Sequence, residues 1–260
     1  MSQPLLLEIN GAVATLTLNR ADQLNSITNE ILELIGSYID EIEANNAVRV
    51  VVVKSTGRAF CAGADLKGLP RSEEDPTATE RFLRRWYRAF NRLASCSKPT
   101  IAVVQGLTLA GGLELLMCCD LAIASEDAQI GDQHANFGLL AGGGGTQRLP
   151  RLIGERRAKW LLYSGEWISG TIAADWGLIN QAVPAAELEQ AAQKMVDALA
   201  NKSPLGLAST KFLVDRGLSV DLDTGLDMEV RIAAKHILSK DVDIGLDAFM
   251  NKKTPEFIGR

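Results

Sequence analysis

IAVVQGLTLAGGLELLMCC, Ile101 to Cys119, is the most apolar region of the chain, and the way it is interrupted decides the fold. Ile101 to Val104 is a short apolar run that follows a break at Lys98-Pro99 and reads as a strand. The glycines beyond Gln105-Gly106 then open a helix running through Leu115, Leu116, Met117 and Cys118. A lipid-facing helix would not cheaply tolerate Gln105, Gly106, Gly111, Gly112 and Glu114, so the region reads as buried core that carries a site. Upstream, Thr79 to Ser95 carries Phe82, Trp86, Phe90 and Leu93 on one side of a predicted helix; downstream, Leu121 to Ala124 supplies another short strand. Nearer the N-terminus, Ile31, Leu34, Tyr38 and Ile42 recur at helical spacing behind a Thr28 N-cap. Val50 to Val53 follows without alternation, as expected of a strand buried on both faces. Leu5 to Ile9 and Ala12 to Leu18 flank Asn10-Gly11, a hairpin signal. Strands and helices alternate, so the class is α/β.

After a strand-like Leu178 to Val183, everything from Ala185 onward reads as helix, broken at Ser203-Pro204 and Gly217. The chain is accordingly divided into an α/β core with the site, residues 1–195, and a helical C-terminal region, residues 196–260. Residues 69–80, LPRSEEDPTATE, are polar and proline-containing and are expected to form a mobile loop. No repeat of fixed period is found, although the recurring units could stack as a structural spiral.

At 260 residues with 47% apolar and 23% charged residues, the chain has the composition of a packed globular domain rather than of a disordered one. Its net charge of -5 repels phosphate backbones and argues against a dedicated nucleic-acid binder. Cys61, Cys96, Cys118 and Cys119 lack CxxC pairing and a His-rich companion segment, so neither a zinc site nor a disulfide framework is expected. A reducing compartment follows, and the start MSQPLLLEING lacks the layout of a signal peptide, so a cytoplasmic location is expected.

Two segments invite chemistry. Arg58 to Leu66, RAFCAGADL, leaves a strand through small residues that let a ligand approach the backbone and leave N–H groups free to donate, or else simply form a tight turn. Gly111-Gly112 at a helix start offers backbone donors to a developing anion. Glu114 lies on the first turn of that helix among Leu113, Leu115, Leu116 and Met117, where burial should raise its pKa toward the range useful for proton transfer. A helix-capping role is the alternative.

These segments, with Gly142-Gly143-Gly144-Gly145-Thr146-Gln147-Arg148-Leu149 further on, resemble the enoyl-CoA hydratase/isomerase family, the crotonase superfamily. The resemblance extends from the first hairpin into the C-terminal helices. It implies a spiral of ββα turns with a helical C-terminal trimerisation region, trimers often pairing into hexamers, and an acyl-CoA thioester as ligand. By the same resemblance the amides of Ala64 and Gly111 form an oxyanion hole, main chain at Ala62, Asp65 and Leu66 faces the coenzyme A nucleotide, and Gln23 and Leu24 lie near the pantetheine. Pro and Lys commonly stand in the family where this chain has Ala21 and Asp22. Glu114 matches the first catalytic glutamate, and the second falls on His134, a departure. Histidine exchanges protons near neutral pH, with an unperturbed pKa of about 6.5; a histidine satisfied by neighbours such as Asp132 is the structural alternative.

Gly142 to Gly145 is no phosphate loop, because no Lys-Ser or Lys-Thr follows. His236 reads as a surface or packing residue of a late helix, and no metal cluster can be assembled. Arg81, Arg84, Arg85, Arg88 and Arg92 gather on one helix face, which could hold RNA or another polyanion but reads better as a solvated or subunit-paired face, while Phe82, Trp86 and Phe90 opposite could wall an acyl pocket. The leading expectation is a hydratase or dehydratase of acyl-CoA thioesters with no cofactor beyond the coenzyme A of its substrate and with Glu114 and His134 as its acid–base pair. Isomerisation, thioester hydrolysis or carbon–carbon cleavage on the same enolate is the enzymatic alternative, and a polyanion-binding protein that has lost turnover is the non-enzymatic one. A membrane partner is not expected.

Overall fold

One repeated path builds two sheets. In the computed structural model, which describes residues 3–68, 70, 75 and 77–260, the chain starts with the expected hairpin, β1 (Leu5–Asn10) and β2 (Val13–Leu18). Then α1 (Asn29–Ala44) leads to β3 (Val50–Ser55), β4 (Ala59–Cys61) and α2 (Thr77–Ala94). The path repeats as β5 (Thr100–Val104), β6 (Leu107–Leu109) and α3 (Gly111–Leu116), and again as β7 (Leu121–Ser125), β8 (Gln129–Gly131) and α4 (Gly145–Ile153). Each turn lays one strand in a six-stranded sheet, order β1-β2-β3-β5-β7-β10, and the next in a four-stranded sheet, order β4-β6-β8-β9. The spiral is closed by α5 (Glu155–Ser164), β9 (Trp167–Ser169), α6 (Gly170–Asp175), β10 (Gln181–Val183) and α7 (Leu188–Ala200), after which come α8 (Pro204–Gly217), α9 (Leu222–His236) and α10 (Lys240–Asn251).

Parallel pairing from β2 through β3, β5 and β7 to β10 buries both sheet faces, which is why Val50 to Val53 does not alternate. Val51 and Val53 join the main core with α1 and α2, whereas Val50 and Val52 meet Leu188, Ala192 and Val196 of α7. The expected boundary at 195/196 falls within α7. In α8 and α9 no residue is fully buried, and Leu218, Leu222, Leu238, Phe249 and Met250 of the C-terminal region are 75–86% exposed.

Some element limits move. Thr28 does cap α1 through its hydroxyl, but the buried stripe is Ile31, Leu32, Ile35, Ile39 and Ile42, with Leu34 and Tyr38 at its margin. The helix expected over Thr79–Ser95 spans Thr77–Ala94. The strand expected over Leu178–Val183 is confined to Gln181–Val183, because the Gly177 and Leu178 amides donate back to Ala174 and Ala173 and close the end of α6. Of the loop expected over residues 69–80, residues 69, 71–74 and 76 lie outside the described residues, and Thr77 onward is helix.

The loop after β2 is held by one side chain. Asn25 is fully buried; its Oδ1 accepts from the Arg20 amide at 2.8 Å, and its Nδ2 donates to the Thr56 and Ala59 carbonyls, each at 2.8 Å. Asn25→Ala leaves the Arg20 amide and the Thr56 carbonyl without this partner at about 1–3 kcal/mol each, while the Ala59 carbonyl keeps the Ser55 hydroxyl at 2.9 Å. A fall in Tm of at least about 5 °C by differential scanning calorimetry is the expected outcome; a wild-type Tm would remove Asn25 as the brace of this loop.

Candidate active site

The two glycine-containing segments meet where β4 ends and α3 begins. Gly112 sits so close to the Cys61 carbonyl that a Cβ there would lie 2.1 Å from its oxygen, a contact only glycine permits. Ala110, just before α3, takes φ +50 and ψ -116, a conformation costing a residue with a Cβ about 1–3 kcal/mol. The strain sits beside two apposed amides: the Ala64 nitrogen is 3.5 Å from the Cβ position of Gly111, and the Gly111 nitrogen is 3.5 Å from that of Gly63. Ala62 and Asp65 donate to the Leu24 and Ile27 carbonyls at 3.0 and 2.9 Å, while the Ala64 and Gly111 amides have no acceptor among the described residues. Two unspent donors converging on one point can hold an oxyanion.

Glu114, only 2% exposed, stands one turn along α3. It is not the cap of its own helix. Its Oε1 accepts from the Gly143 and Gly145 amides at 2.7 and 2.9 Å. The Gly142–Gly145 run therefore binds a carboxylate instead of a phosphate. Gly144, at φ +118, makes the turn into α4, and Arg148 braces the loop through the Gly143 carbonyl and Asn91 of α2. Burial raises the pKa of Glu114, partly offset by the two amides and by His134.

His134 reaches the same place from the turn after β8. Gln133 takes a left-handed φ of +65, and its side-chain amide, like that of Asn136, donates to the Gly165 carbonyl, pinning the turn to the end of α5. Nδ1 of His134 lies 3.0 Å from both carboxylate oxygens of Asp132, a residue 1% exposed. A carboxylate only accepts, so Nδ1 carries a proton and Nε2 is left to exchange one. Burial works against the imidazolium, but the hydrogen bond and charge of Asp132, with the charge of Glu114, outweigh it and raise the His134 pKa. Asp132 and Glu114 both approach Gly145, whose Cβ position is 3.4 Å from Asp132 Oδ1 and 3.3 Å from Glu114 Oε1. Glu114, Asp132 and His134 thus lie in one cluster whose groups can exchange protons.

An open groove of about 1290 Å³, with Arg20, Gln23, Ile27, Asp65, Lys67 and Phe82 on its walls, reaches the loop after β4 at Asp65, while Ala64, Gly111, Glu114 and His134 do not line it. Gln23 is exposed on its wall, Leu24 is half-buried beside it at φ +50, Ala62 is half-buried, and Leu66 is 57% exposed. The Asp65 side chain is engaged: its Oδ2 pairs with Arg20 at 3.0 Å, and that hydrogen bond holds its carboxyl below the usual range. Arg20 also donates to the Ser26 carbonyl at 2.6 Å, so the pair clamps the two loops that form the groove. The arginine face of α2 is largely neutralised within the chain. Arg81 pairs with Asp75, Arg84 with Glu80, and Arg92 with Asp40 and Glu43. His236 lies half-buried at the end of α9, away from these elements.

Sequence reasoning placed Asp132 only as a structural neighbour of His134 and gave Gly142–Gly145 no partner. The signal for the first was the two-residue spacing Asp132-Gln133-His134, while the second depends on a contact across 29 residues. The model of the family described as enoyl-CoA hydratase/isomerase matches residues 8–260. Human enoyl-CoA hydratase domain-containing protein 2, mitochondrial, is 36% identical over 253 residues, covering 95% of this chain and 86% of that protein. Human mitochondrial methylglutaconyl-CoA hydratase is 34% identical over 257 residues, covering 97% of this chain and 75% of that one. The 1.8 Å crystal structure of enoyl-CoA hydratase from Bacillus anthracis superposes with a TM-score of 0.94 at 36% identity, covering 99% of this chain and all of that one.

Asp132→Asn withdraws the charge that raises the His134 pKa. Nitrogen-detected NMR titration should show His134 titrating at lower pH in the variant. The stability supplied by the pair is complete below the unfolded histidine pKa of about 6.5 and is lost as pH rises through the folded value. The Tm gap between wild type and variant should therefore be wider at acidic than at alkaline pH, and an unchanged His134 titration would mean that the contact has no electrostatic weight.

Proposed function

The chain belongs to the enoyl-CoA hydratase/isomerase family, and from the geometry of its site we propose that it adds water reversibly across the double bond of an enoyl-CoA thioester. The observation that carries this reading is the convergence of a buried carboxylate and a carboxylate-paired imidazole beside two unspent amides. The Ala64 and Gly111 amides hold the thioester oxygen as it gains charge. Glu114, ionised, takes a proton from a water whose oxygen bonds to Cβ, and the double-bond electrons move to the thioester oxygen as an enolate. His134, held protonated by Asp132, then donates from Nε2 to Cα as the enolate collapses. Exchange with solvent returns Glu114 to carboxylate and His134 to imidazolium. Dehydration is the same path reversed. The coenzyme A portion occupies the groove beside Gln23, Leu24 and the main chain of Ala62, Asp65 and Leu66, and the reacting groups all come from the chain itself.

The raised pKa values suit these roles. Burial raises the pKa of Glu114, which makes it a stronger base, and Asp132 raises that of His134, which favours its charged form. Incubation with a panel of acyl-CoA thioesters followed by mass spectrometry tests the reading. The expected product gains one water, and Glu114→Gln and His134→Ala each lower kcat at least about 100-fold, the usual weight of a positioned acid or base. Glu114→Gln should keep the wild-type Tm or exceed it, since the amide oxygen still accepts from Gly143 and Gly145 and the buried charge is gone. A shifted double bond at unchanged mass, free coenzyme A or a shortened acyl chain would replace hydration by another reaction of the enolate.

The C-terminal region supports a homo-oligomer built on a trimer. The exposed apolar side chains of α8 to α10 and the turns joining them, Leu218, Leu222, Leu238, Phe249 and Met250 among them, are a surface that subunit packing would cover. Light scattering at micromolar concentration should give three or six times the chain mass; a monomer would overturn the assignment.

A further inference from the structure

We propose that Trp86 closes the acyl side of this site, so that the enzyme takes compact enoyl groups of about four carbons and rejects long chains. The inference rests on the reading of the site as an enoyl-CoA site and goes on to name its acyl class. Phe82 of α2 stands on the wall of the groove assigned above to the coenzyme A portion. One turn further along α2, Trp86 is 4% exposed, and one turn beyond that Phe90 is fully buried. The three rings form a continuous wall: Phe82 and Trp86 are 6.2 Å apart, and Trp86 and Phe90 meet edge-on at 5.3 Å. The wall stands against the reacting atoms. A Cβ on Gly111 would lie 2.7 and 2.8 Å from Cζ3 and Cη2 of Trp86, so the far edge of the indole rests on the residue whose amide faces Ala64.

Phe90 and Leu83, the latter 38% exposed, continue the wall past the indole. The Cβ position of Gly143 is 3.2 Å from Cε2 of Phe90 and 2.5 Å from Oε2 of Glu114, so ring and carboxylate lie side by side where Cβ of the substrate reacts. Leu83 fills the next position, its Cδ2 2.6 Å from the Cβ position of Gly142. An acyl chain pinned at its carbonyl and reacting beside Glu114 meets Trp86, Phe90 and Leu83 on the α2 side within a few bonds. A pocket open to the chain would gain several-fold in kcat/KM with each added methylene. A walled pocket reverses that trend, because each added methylene must displace a packed ring.

The test is the chain-length profile of hydration with four-, six- and ten-carbon 2-enoyl-CoA thioesters for wild type, Trp86→Ala and Trp86→Phe. The expected wild-type kcat/KM falls at least about tenfold from four to ten carbons, against the rise that an open apolar pocket gives. Trp86→Ala should raise the ten-to-four-carbon ratio at least tenfold, with Trp86→Phe, which keeps a ring against Phe90, in between. Calorimetric binding of butyryl-CoA and decanoyl-CoA to the same proteins reads the wall without any turnover, and wild type should bind butyryl-CoA at least as tightly. If no thioester is hydrated but this binding order holds and inverts in the variants, the hydratase reading fails and the wall stands. Tighter wild-type binding or faster turnover of the ten-carbon chain overturns the proposal, as does a ratio unmoved by both substitutions.

Discussion

The approach of two backbones at Cys61 and Gly112 is the constraint on which the site depends. With the Cβ position of Gly112 only 2.1 Å from the Cys61 oxygen, the loop after β4 and the start of α3 are as close as peptide groups can come, and Ala110 is held in a strained conformation beside them. Their closeness sets the amides of Ala64 and Gly111 against each other and carries Glu114 into the interior on the next turn of α3. The spiral makes the meeting possible, since β4 and β6 are parallel neighbours in the small sheet and deliver both segments to the same end.

Burying a carboxylate costs stability unless its lone pairs are met, and the chain meets them with main chain. Gly143 and Gly145 supply two N–H donors, and among the described residues no lysine or arginine forms an ion pair with Glu114. A lysine or arginine there would form a stable ion pair and pin the carboxylate in its charged form. Amides satisfy Glu114 while burial still lifts its pKa, which leaves it able to take and release a proton. Asp132 works on His134 in the opposite sense to burial, favouring the charged imidazole despite partial desolvation. A carboxylate and an imidazolium attract each other here, whereas two ionised glutamates would repel.

Charge on α2 follows from packing in the same way. Its inner face is committed to Phe82, Trp86 and Phe90, so its arginines must face outward, where Asp40, Glu43, Asp75 and Glu80 meet most of them. The arginine row is therefore the outward side of an amphipathic helix whose inner side is aromatic, with Arg81, Arg84 and Arg92 paired to carboxylates of the same chain. No helix among the described residues is long and apolar enough to cross a membrane. Exposed apolar side chains occur on the C-terminal helices, Leu218, Leu238 and Phe249 among them, and also around α4 and α5, at Phe137, Leu140 and Tyr163.

The α/β class, the hairpin, the doubly buried Val50 to Val53 strand and the glycine-opened helix with Glu114 were determined by the sequence itself, because each depends on neighbours within a few residues: a turn pair, an unalternating apolar run, a helical spacing. Even the departure at His134 was visible as a residue out of pattern. Only the tertiary structure decided what lies between these elements. That Gly143 and Gly145 hold Glu114, that Asn25 braces the loop after β2, that Asp65 is spent on Arg20 and that Trp86 lies on Gly111 are contacts across 25 to 45 residues or between separate turns of the spiral. Apart from Trp86, which belongs to the apolar stripe of α2, the residues at both ends are polar or small and carry no periodic signal, so the partner each one meets is set by the path of the chain.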